Sequence, residues 1–522
     1  MISTTSQDRD PDRTAAQVIL CAEANQLRQA ISTHLLHRSN EDGSLDDQCE
    51  SRIFESVLMS LLLDRTKHTQ FRLANNKITR FLIAEHSGAD RFHKNLIDFL
   101  ISPKSASANG AFTHFPRGLQ FTQSRKEIVF RSILAELGAQ ELNFSASEAL
   151  MVGYGNQANW VNIVSCAVRV LAHAQSGIVV GKRDTDYLRA AVSTPGPTGV
   201  YEGHVFAHIM ALLALQRVGT AEQFVVDGIH ALLRHQREDG GFPFVTTMKT
   251  FCTVTAALGM LQCPGKEDAA LRAASYLVSV QQPDGGWGYG FGVAQTDADD
   301  TAYCLELIRS CNQRHFQGPI RRAEAYLVSI SAHGAGVPTF KADHTPEVAM
   351  TAGAVNAFDL NDVKYHRVTT SWLQSLLERQ KDDGTFERSW SLSEANAIFR
   401  SLKAFRGALS SRLFQPMYDR IRMAHSASVQ YLLAAQNSDG GWGQLAGSAS
   451  DAISTAYSIL ALPPENAAQI WQGISFIVQS SDSGRVYSIP DQAGPRPIPW
   501  NVPVLADVTA LWALNHALAL DS

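Results

Sequence analysis

The sequence predicts an all-α fold of two α/α-barrel-type domains, of which the C-terminal one is an α6–α6 barrel. Two observations carry this prediction. One turn pattern recurs along the chain, and amphipathic helices with apolar residues every three or four positions follow each copy. No segment alternates apolar and polar residues as a half-buried strand does. Sequence patterns that recur in this way are typical of repeat architectures.

The recurring turn consists of a Gln that ends one helix, a Gly-containing bend and an aromatic residue. Degenerate copies begin at residues 329 and 478, and with the clear copies they make six units of about 50 residues. Six helical hairpins can close into a double ring, so we expect a closed barrel. The clear copies are RHQREDGGFPF, SVQQPDGGWGYG, ERQKDDGTFERSW and AAQNSDGGWGQ, with Gln236, Gln282, Gln380 and Gln436 as their glutamines.

A more divergent helical half precedes these repeats. Its helix-ending turns, such as SNEDGSLDD and HAQSGIVVGKRD, follow the pattern only weakly. The Pro/Gly-rich stretch STPGPTG at residues 193–199 separates the two halves and has the composition of a linker. We therefore predict a divergent helical domain at 12–194 and the six-unit barrel at 195–522.

Composition narrows the classes of function. The net charge of −5 lacks the basic surplus that nucleic-acid binding requires. Seven cysteines without a CxxC pair indicate reduced thiols, and the polar N-terminus argues against a secretory signal. No apolar run approaches the ~18 residues of a membrane span. We expect a cytoplasmic protein without a transmembrane segment, and the sequence leaves its oligomeric state open.

The segment QTDADDTAY places three carboxylates, Asp297, Asp299 and Asp300, at the expected start of a helix. Aspartates at such a position commonly cap free backbone N–H groups. Closely spaced carboxylates also suit Mg²⁺. In a dry site like charges cannot all ionise, so such a cluster can also keep a proton near neutral pH. The residues alone leave a helix cap, a metal site and a catalytic acid as alternatives.

The turns and this acidic motif together resemble a known family. QPDGGWG and QNSDGGWG are similar to the QW repeats of the terpene cyclase and prenyltransferase superfamily, and DADDTA is similar to the DxDD motif of class II terpene cyclases. The resemblance is strong over residues 195–522 and loose before them. The chain length is similar to that of bacterial enzymes with two helical domains, named β and γ. The resemblance implies cyclisation of a linear prenyl diphosphate, geranylgeranyl or farnesyl, to a bicyclic labdane- or drimane-type diphosphate.

The resemblance also implies roles for the three aspartates. Class II cyclisation begins with protonation of an isolated alkene, which is a very poor base, so the acid must be a neutral carboxyl made strong by its surroundings. By resemblance Asp299 is the proton donor, and Asp297 and Asp300 orient and tune it. The N-terminus of the helix stabilises the anion that remains after transfer.

The substrate is expected to lie against aromatic and basic side chains. Aromatic faces stabilise carbocations without attacking them, and Trp287, Tyr289 and Phe291 directly precede the acidic motif. Lys249 stands in an otherwise apolar stretch, which suggests an ammonium that faces the cavity. The other residues expected to bind substrate are Trp372 and Trp390 among the aromatics, and Arg117, Arg125 and Lys126 for the diphosphate.

Magnesium is expected to accompany the substrate diphosphate. In relatives an acidic stretch of the γ domain helps to hold it, and Glu41 and Asp42 in NEDGSLDD are the nearest analogue here. No DDxxD motif is found, which implies that the diphosphate is retained in the product. The SAYDTAW-like segment of copalyl-type enzymes is also absent, so the choice between C15 and C20 substrates stays open. Candidates for the deprotonating base are residues 153–160, His204 and His208.

Other functions remain as alternatives. A squalene-type or meroterpenoid class II cyclase would share the acidic motif but would not need a diphosphate. A prenyltransferase β-like subunit would need a zinc site, for which the sequence offers Asp47 and Cys49 without an obvious partner histidine. A non-catalytic repeat module would gain nothing from clustered carboxylates next to aromatic residues.

Overall fold

A computed structural model describes residues 15–101, 120–155, 157–194, 196, 198–331, 335–341, 345–494 and 498–521. Within these ranges the protein is built from helices, and the predicted all-α class is confirmed. The α-helices of the N-terminal half are α1 (Ala15–Arg38), α2 (Ile53–Thr66), α3 (Arg72–His86), α4 (Arg91–Ile101), α5 (Gln120–Glu136), α6 (Ala146–Met151), α7 (Asn159–Gln175), α8 (Lys182–Ser193), α9 (Val205–Arg217) and α10 (Glu222–Leu233).

The C-terminal half continues in the same way and adds two short antiparallel hairpins. The strands β1 (Ser481–Asp482) and β2 (Arg485–Val486) pair with each other, as do β3 (Gln492–Ala493) and β4 (Pro499–Trp500). The α-helices are α11 (Lys249–Leu261), α12 (Glu267–Ser279), α13 (Ala298–Asn312), α14 (Gln317–Ile330), α15 (Val348–Ala357), α16 (His366–Arg379), α17 (Glu394–Leu409), α18 (Tyr418–Ala435), α19 (Ala452–Ala461), α20 (Ala467–Gln479) and α21 (Val504–Leu520).

Six of these helices form a closed inner ring. α11, α13, α15, α17, α19 and α21 contact one another in that order, and α21 returns to contact α11. α12, α14, α16, α18 and α20 pack around the outside of the ring, and α1 contacts α21, α20 and α11 at the sixth outer position. The predicted closed α6–α6 barrel is therefore confirmed. In a ring of six, α13 lies opposite α19.

The helices of the other domain pack separately. α9 contacts α7, α8, α10 and α2, and α2 also contacts α3 and α4. The division predicted from sequence at residues 194 and 195 assigned α9 and α10 to the barrel and α1 to the other domain. The contacts differ from this division, because α1 packs on the ring whereas α9 and α10 pack on helices of the N-terminal half. We therefore propose that the barrel comprises residues 15–38 and 249–521 and that residues 53–233 form the other domain.

The glutamine of each clear turn ties the helix that it ends to a neighbouring helix. In the second copy the side-chain amide of Gln281 donates to the carbonyls of Gly285, at 2.8 Å, and of Pro319, at 3.0 Å. The sequence analysis chose Gln282, so this glutamine was misplaced by one residue. Gly285 has φ 93°, a conformation that favours glycine. The indole of Trp287 then packs in the core. The turn thereby fixes where the following inner helix begins.

No helix in the described ranges combines the length and the apolar composition that crossing a bilayer requires. The cytoplasmic location stays a prediction.

Candidate active site

A cavity lies where the N-terminal ends of the barrel's inner helices meet the other helical domain. It encloses about 590 Å³ of space between atoms, part of it open to solvent. The second domain contributes Trp160, at the start of α7, and His204, which directly precedes α9. The three motif aspartates form part of the wall. The other aromatic residues of the wall are Phe244, Phe251, Tyr289, Phe340, Trp390 and Trp500.

The acidic motif is held at the first turn of α13. Asp297 is the N-cap residue, and its carboxylate accepts a hydrogen bond of 2.8 Å from the backbone N–H of Asp300. The backbone N–H of Asp297 donates to the carbonyl of Trp287 at 2.9 Å, and that of Ala298 donates to the carbonyl of Thr339 at 2.8 Å. Asp297 therefore caps the helix, and all three aspartates face the cavity, because the recurring turn anchors the start of α13.

Burial makes ionisation of the cluster unfavourable. Asp297 and Asp300 are only 4% and 3% exposed. Burial raises the pKa of Asp297 to about 7, and the charge of Asp299 adds to this effect, while the hydrogen bond from Asp300 opposes it. Burial, with the charges of Asp297 and Asp299, raises the pKa of Asp300 well above its usual range. Burial therefore favours a cluster that keeps at least one proton at neutral pH.

Two of the aromatic residues expected to bind substrate, Tyr289 and Trp390, line the cavity. Trp287, Phe291 and Trp372 do not appear in its described lining. The Trp287 indole donates to the carbonyl of Leu277 at 2.7 Å and is buried beneath the turn. Trp372 lies in the core on the outer helix α16, and Phe291 is 52% exposed.

None of the expected basic residues within the described ranges lines the cavity. Lys249 begins α11, and its ammonium lies 5.2 Å from the ring centroid of Tyr276 on the outer helix α12. Arg125 donates to the side chain of Gln157 at 3.1 Å, and Lys126 is buried on α5. Arg117 lies outside the described residues.

The expected metal residues occupy the turn that follows α1. Asp42 accepts hydrogen bonds from Ser44, from its N–H at 2.9 Å and from its hydroxyl at 2.6 Å, and Glu41 is exposed. Within the described ranges, no cluster of three or more His, Cys, Asp or Glu side chains could hold a metal ion. Asp47, considered for zinc, accepts instead from Arg38 at 2.6 Å and from the backbone N–H of Val504 at 2.7 Å.

The two histidines considered as the deprotonating base differ in position. His204 lines the cavity, stacks on Trp160 with 4.5 Å between ring centroids, and has a buried Nδ1 with no hydrogen-bond partner among the described residues. His208 is absent from the described lining, and its Nδ1 accepts from the backbone N–H of Tyr201 at 3.1 Å. Burial lowers the pKa of His204 to about 3, so its imidazole is neutral and can accept a proton.

Sequence reasoning missed Arg400. Its guanidinium lies 2.5 Å from the carboxylate of Asp299. Arg400 is only 4% exposed and is flanked by Phe399 and Leu402, both buried, on the inner helix α17. A cation on an apolar, core-facing stretch of helix was the available signal, but nothing in the sequence linked it to an aspartate one hundred positions earlier.

The titration of Asp297 predicts how activity depends on pH. If Asp299 is the acid, as the sequence predicts, we expect turnover to fall as the pH rises through about 7, because an ionised Asp297 disfavours a second negative charge on Asp299. Asp297→Asn keeps a capping oxygen but cannot titrate, so this decline should be absent in the variant. Measurement of kcat across this pH range in both proteins checks the prediction, and an unchanged decline in the variant contradicts it.

Comparison with known proteins identifies the family. The prenyltransferase α/α-toroid domain matches residues 155–305 and 254–479. The drimenyl diphosphate synthases of Streptomyces showdoensis and Streptantibioticus cattleyicolor are each 33% identical to the chain. The alignments cover 94% of the chain and 94% of the first enzyme, and 99% of the chain and 98% of the second.

A solved structure has the same fold along nearly the whole chain. The ent-copalyl diphosphate synthase from Streptomyces platensis superposes with a TM-score of 0.57 at 15% sequence identity, over 96% of this chain and 99% of that one. At this identity the match shows the fold alone, whereas the full-length relatives at 33% identity show the family. The chain therefore belongs to the class II terpene cyclases and is built on the prenyltransferase α/α-toroid domain.

Proposed function

We propose that the protein protonates and cyclises farnesyl diphosphate to a bicyclic drimane-type diphosphate that keeps its diphosphate group. The observation that carries the proposal is the cavity in which the three motif carboxyls face aromatic walls, with burial raising the pKa of two of them, Asp297 and Asp300. The C15 substrate is chosen over the C20 geranylgeranyl diphosphate because the two full-length relatives are named drimenyl diphosphate synthases.

The reaction needs an acid, and we assign this role to Asp299. Its side chain is 21% exposed, whereas Asp297 and Asp300 are almost fully buried, and the carboxylate of Asp297 accepts from the backbone N–H of Asp300. In the proposed step the O–H bond of the carboxyl breaks, a C–H bond forms at the distal alkene, and the positive charge passes to the neighbouring carbon. Attack by the remaining alkenes then closes the two rings.

The aromatic wall supports this assignment, because a carbocation is stabilised by the electron-rich faces of aromatic rings. Phe340 and Trp390 meet edge to face with 6.2 Å between centroids, and Trp390 donates from its indole to Thr339 at 3.0 Å. These contacts hold both rings in place beside the cation. Tyr289, whose hydroxyl donates to the carbonyl of Glu202 at 2.7 Å, is fixed in the same way.

Loss of a proton ends the reaction, and we propose that the neutral imidazole of His204 receives it. A carbocation is a far stronger acid than an imidazolium, so the low pKa of His204 does not prevent this transfer. His204 belongs to the domain that faces the barrel, whereas the acid belongs to α13. Acid and base would then act from two walls of one cavity.

Magnesium is proposed to bind with the substrate diphosphate and not at the acidic motif. When bound it would neutralise the charge of the diphosphate. The carboxylate of Asp297 caps α13 and that of Asp299 contacts Arg400, so both are engaged without a metal. Removal of the metal with EDTA is expected to stop turnover, and unchanged activity in EDTA would contradict a requirement for magnesium.

The substrate is tested by separate incubation with farnesyl diphosphate, geranylgeranyl diphosphate and squalene. We expect farnesyl diphosphate to give a bicyclic diphosphate, detected as a bicyclic alcohol after phosphatase treatment and mass spectrometry. Preferential turnover of geranylgeranyl diphosphate would overturn the C15 assignment, and turnover of squalene would overturn the need for a diphosphate.

A further inference from the structure

Arg400 supplies the single cation that the described part of the chain places against the acidic motif. Its guanidinium lies 2.5 Å from the carboxylate of Asp299. The next cation along α17, Lys403, is ion-paired at 2.5 Å with Glu306. Arg406, one turn further, donates to the carbonyls of Ala461 and Leu460 at 2.8 and 3.0 Å. Of the three cations that α17 presents to the centre of the barrel, Arg400 alone reaches the acid.

The position of Arg400 is closely defined by its surroundings. The side chain is 4% exposed, and its guanidinium carbon lies 4.8 Å from the ring centroid of Tyr303. On the facing helix α15, a Cβ at Gly353 would clash with the guanidinium, so the glycine leaves the room that Arg400 occupies. A buried guanidinium needs compensation for its lost hydration. The contact with Asp299 and the face of Tyr303 provide it.

Arg400 and Tyr303 also line a second cavity on the far side of the motif. This cavity encloses about 920 Å³ between atoms, part of it open to solvent, and reaches Lys403 and Arg406. The two side chains therefore form a layer between the acid and this second space. A residue that served only as packing here would not need a charge, since uncharged side chains fill such a layer at a lower desolvation cost.

We propose that Arg400 is a positioning residue that orients the carboxyl of Asp299 and stabilises the carboxylate formed when its proton moves to the substrate. The proposal rests on the proposed function, in which Asp299 is the acid. In that step the carboxyl loses H⁺ to the alkene and gains a negative charge 2.5 Å from a fixed positive one. The guanidinium is already in place, so the charge develops without reorganisation of the surroundings.

The contact with the guanidinium acts more strongly on the transition state than on the bound substrate. Arg400 is absent from the described lining of the substrate cavity, so its removal should leave substrate affinity largely unchanged. When an interaction forms in the transition state but not with the bound substrate, its removal lowers kcat and leaves KM unchanged. A lower kcat with an unchanged KM therefore distinguishes the proposed role of Arg400 from a purely structural one.

The experiment compares wild-type enzyme with Arg400→Gln, Arg400→Lys and Gly353→Ala, using farnesyl diphosphate and quantifying product by mass spectrometry. We expect kcat of Arg400→Gln to fall by about 10²-fold with little change in KM. Arg400→Lys should recover part of the loss, because it keeps a charge but not the planar fork. Gly353→Ala should lower kcat without altering either member of the pair, since its Cβ displaces the guanidinium.

Arg406→Gln is the matched control, because it removes a buried guanidinium of the same helix that does not touch the acid. Its kcat should stay close to that of the wild type. Circular dichroism tests whether each variant folds. If Arg400→Gln does not fold, the kcat values of Arg400→Lys and Gly353→Ala test the proposal in its place. Wild-type kcat in both Arg400→Gln and Gly353→Ala would overturn the proposal. A wild-type enzyme that forms no cyclic diphosphate would instead overturn the proposed function.

Discussion

Asp299→Asn is expected to reduce turnover of farnesyl diphosphate by about 10²- to 10⁴-fold while the protein stays folded. Asparagine has nearly the same shape as aspartate but carries no acidic proton. Asp299 is the most exposed of the three motif carboxyls, whereas Asp297 and Asp300 are buried and Asp297 caps the first turn of α13. Product formation is measured by mass spectrometry after phosphatase treatment.

Glu306→Gln is the matched control for this prediction. It removes a carboxylate from the same helix, but one that pairs with Lys403 and lines the second cavity. We expect this variant to keep most of its activity. If Asp299→Asn retains product formation at a rate near that of the wild type, the assignment of Asp299 as the acid is wrong.

The second large effect concerns stability. Arg52→Met is expected to lower the free energy of unfolding by about 3 to 5 kcal/mol, because it leaves the carboxylate of Glu55 buried without its partner. Arg52 is 6% exposed and Glu55 is fully buried. The guanidinium donates to both oxygens of Glu55, one at 2.5 Å, and to the carbonyls of Gly494 and Ile498. It also lies 4.6 Å from the ring centroid of Phe244.

Arg52 thus connects α2 of one domain to the β3–β4 hairpin and to a wall of the cavity. The stability of each variant is measured by urea unfolding. Arg422→Met is the matched control, since Arg422 and Asp419 are an exposed pair at the same sequence spacing, and exposed pairs contribute little. Arg52→Met combined with Glu55→Met should recover part of the loss. A single variant that unfolds like the wild type would contradict the prediction.

Much of the fold was predictable from the sequence, because the recurring turns mark where helices end and the apolar periodicity between them indicates paired helices. The assignment of helices to domains was not. α1 contacts helices of the barrel although residues 53–233, which we propose as the other domain, follow it in the chain. The spacing of apolar residues shows which face of a helix is buried, but it does not show which distant helix covers that face. The boundary predicted at the linker, residues 193–199, therefore rests on composition alone.

The site was predictable where chemistry lies in a contiguous motif. The three aspartates occur together in the chain and together in the cavity. Residues brought in by distant segments, such as Arg400 and Phe244, were missed, because each looks like ordinary core in its local sequence. Trp287 lies next to the acid in the chain but is buried beneath the turn and is absent from the described lining of the cavity.

The central claim is that a proton from the enzyme begins the reaction and that the diphosphate stays on the product. It is tested by incubation of the enzyme with farnesyl diphosphate in deuterium oxide. The carboxyl of Asp299 exchanges its proton with solvent. The bicyclic product should therefore carry one deuterium at the carbon that receives the initiating proton, with no diphosphate released. Release of inorganic diphosphate with an unlabelled product would contradict the claim.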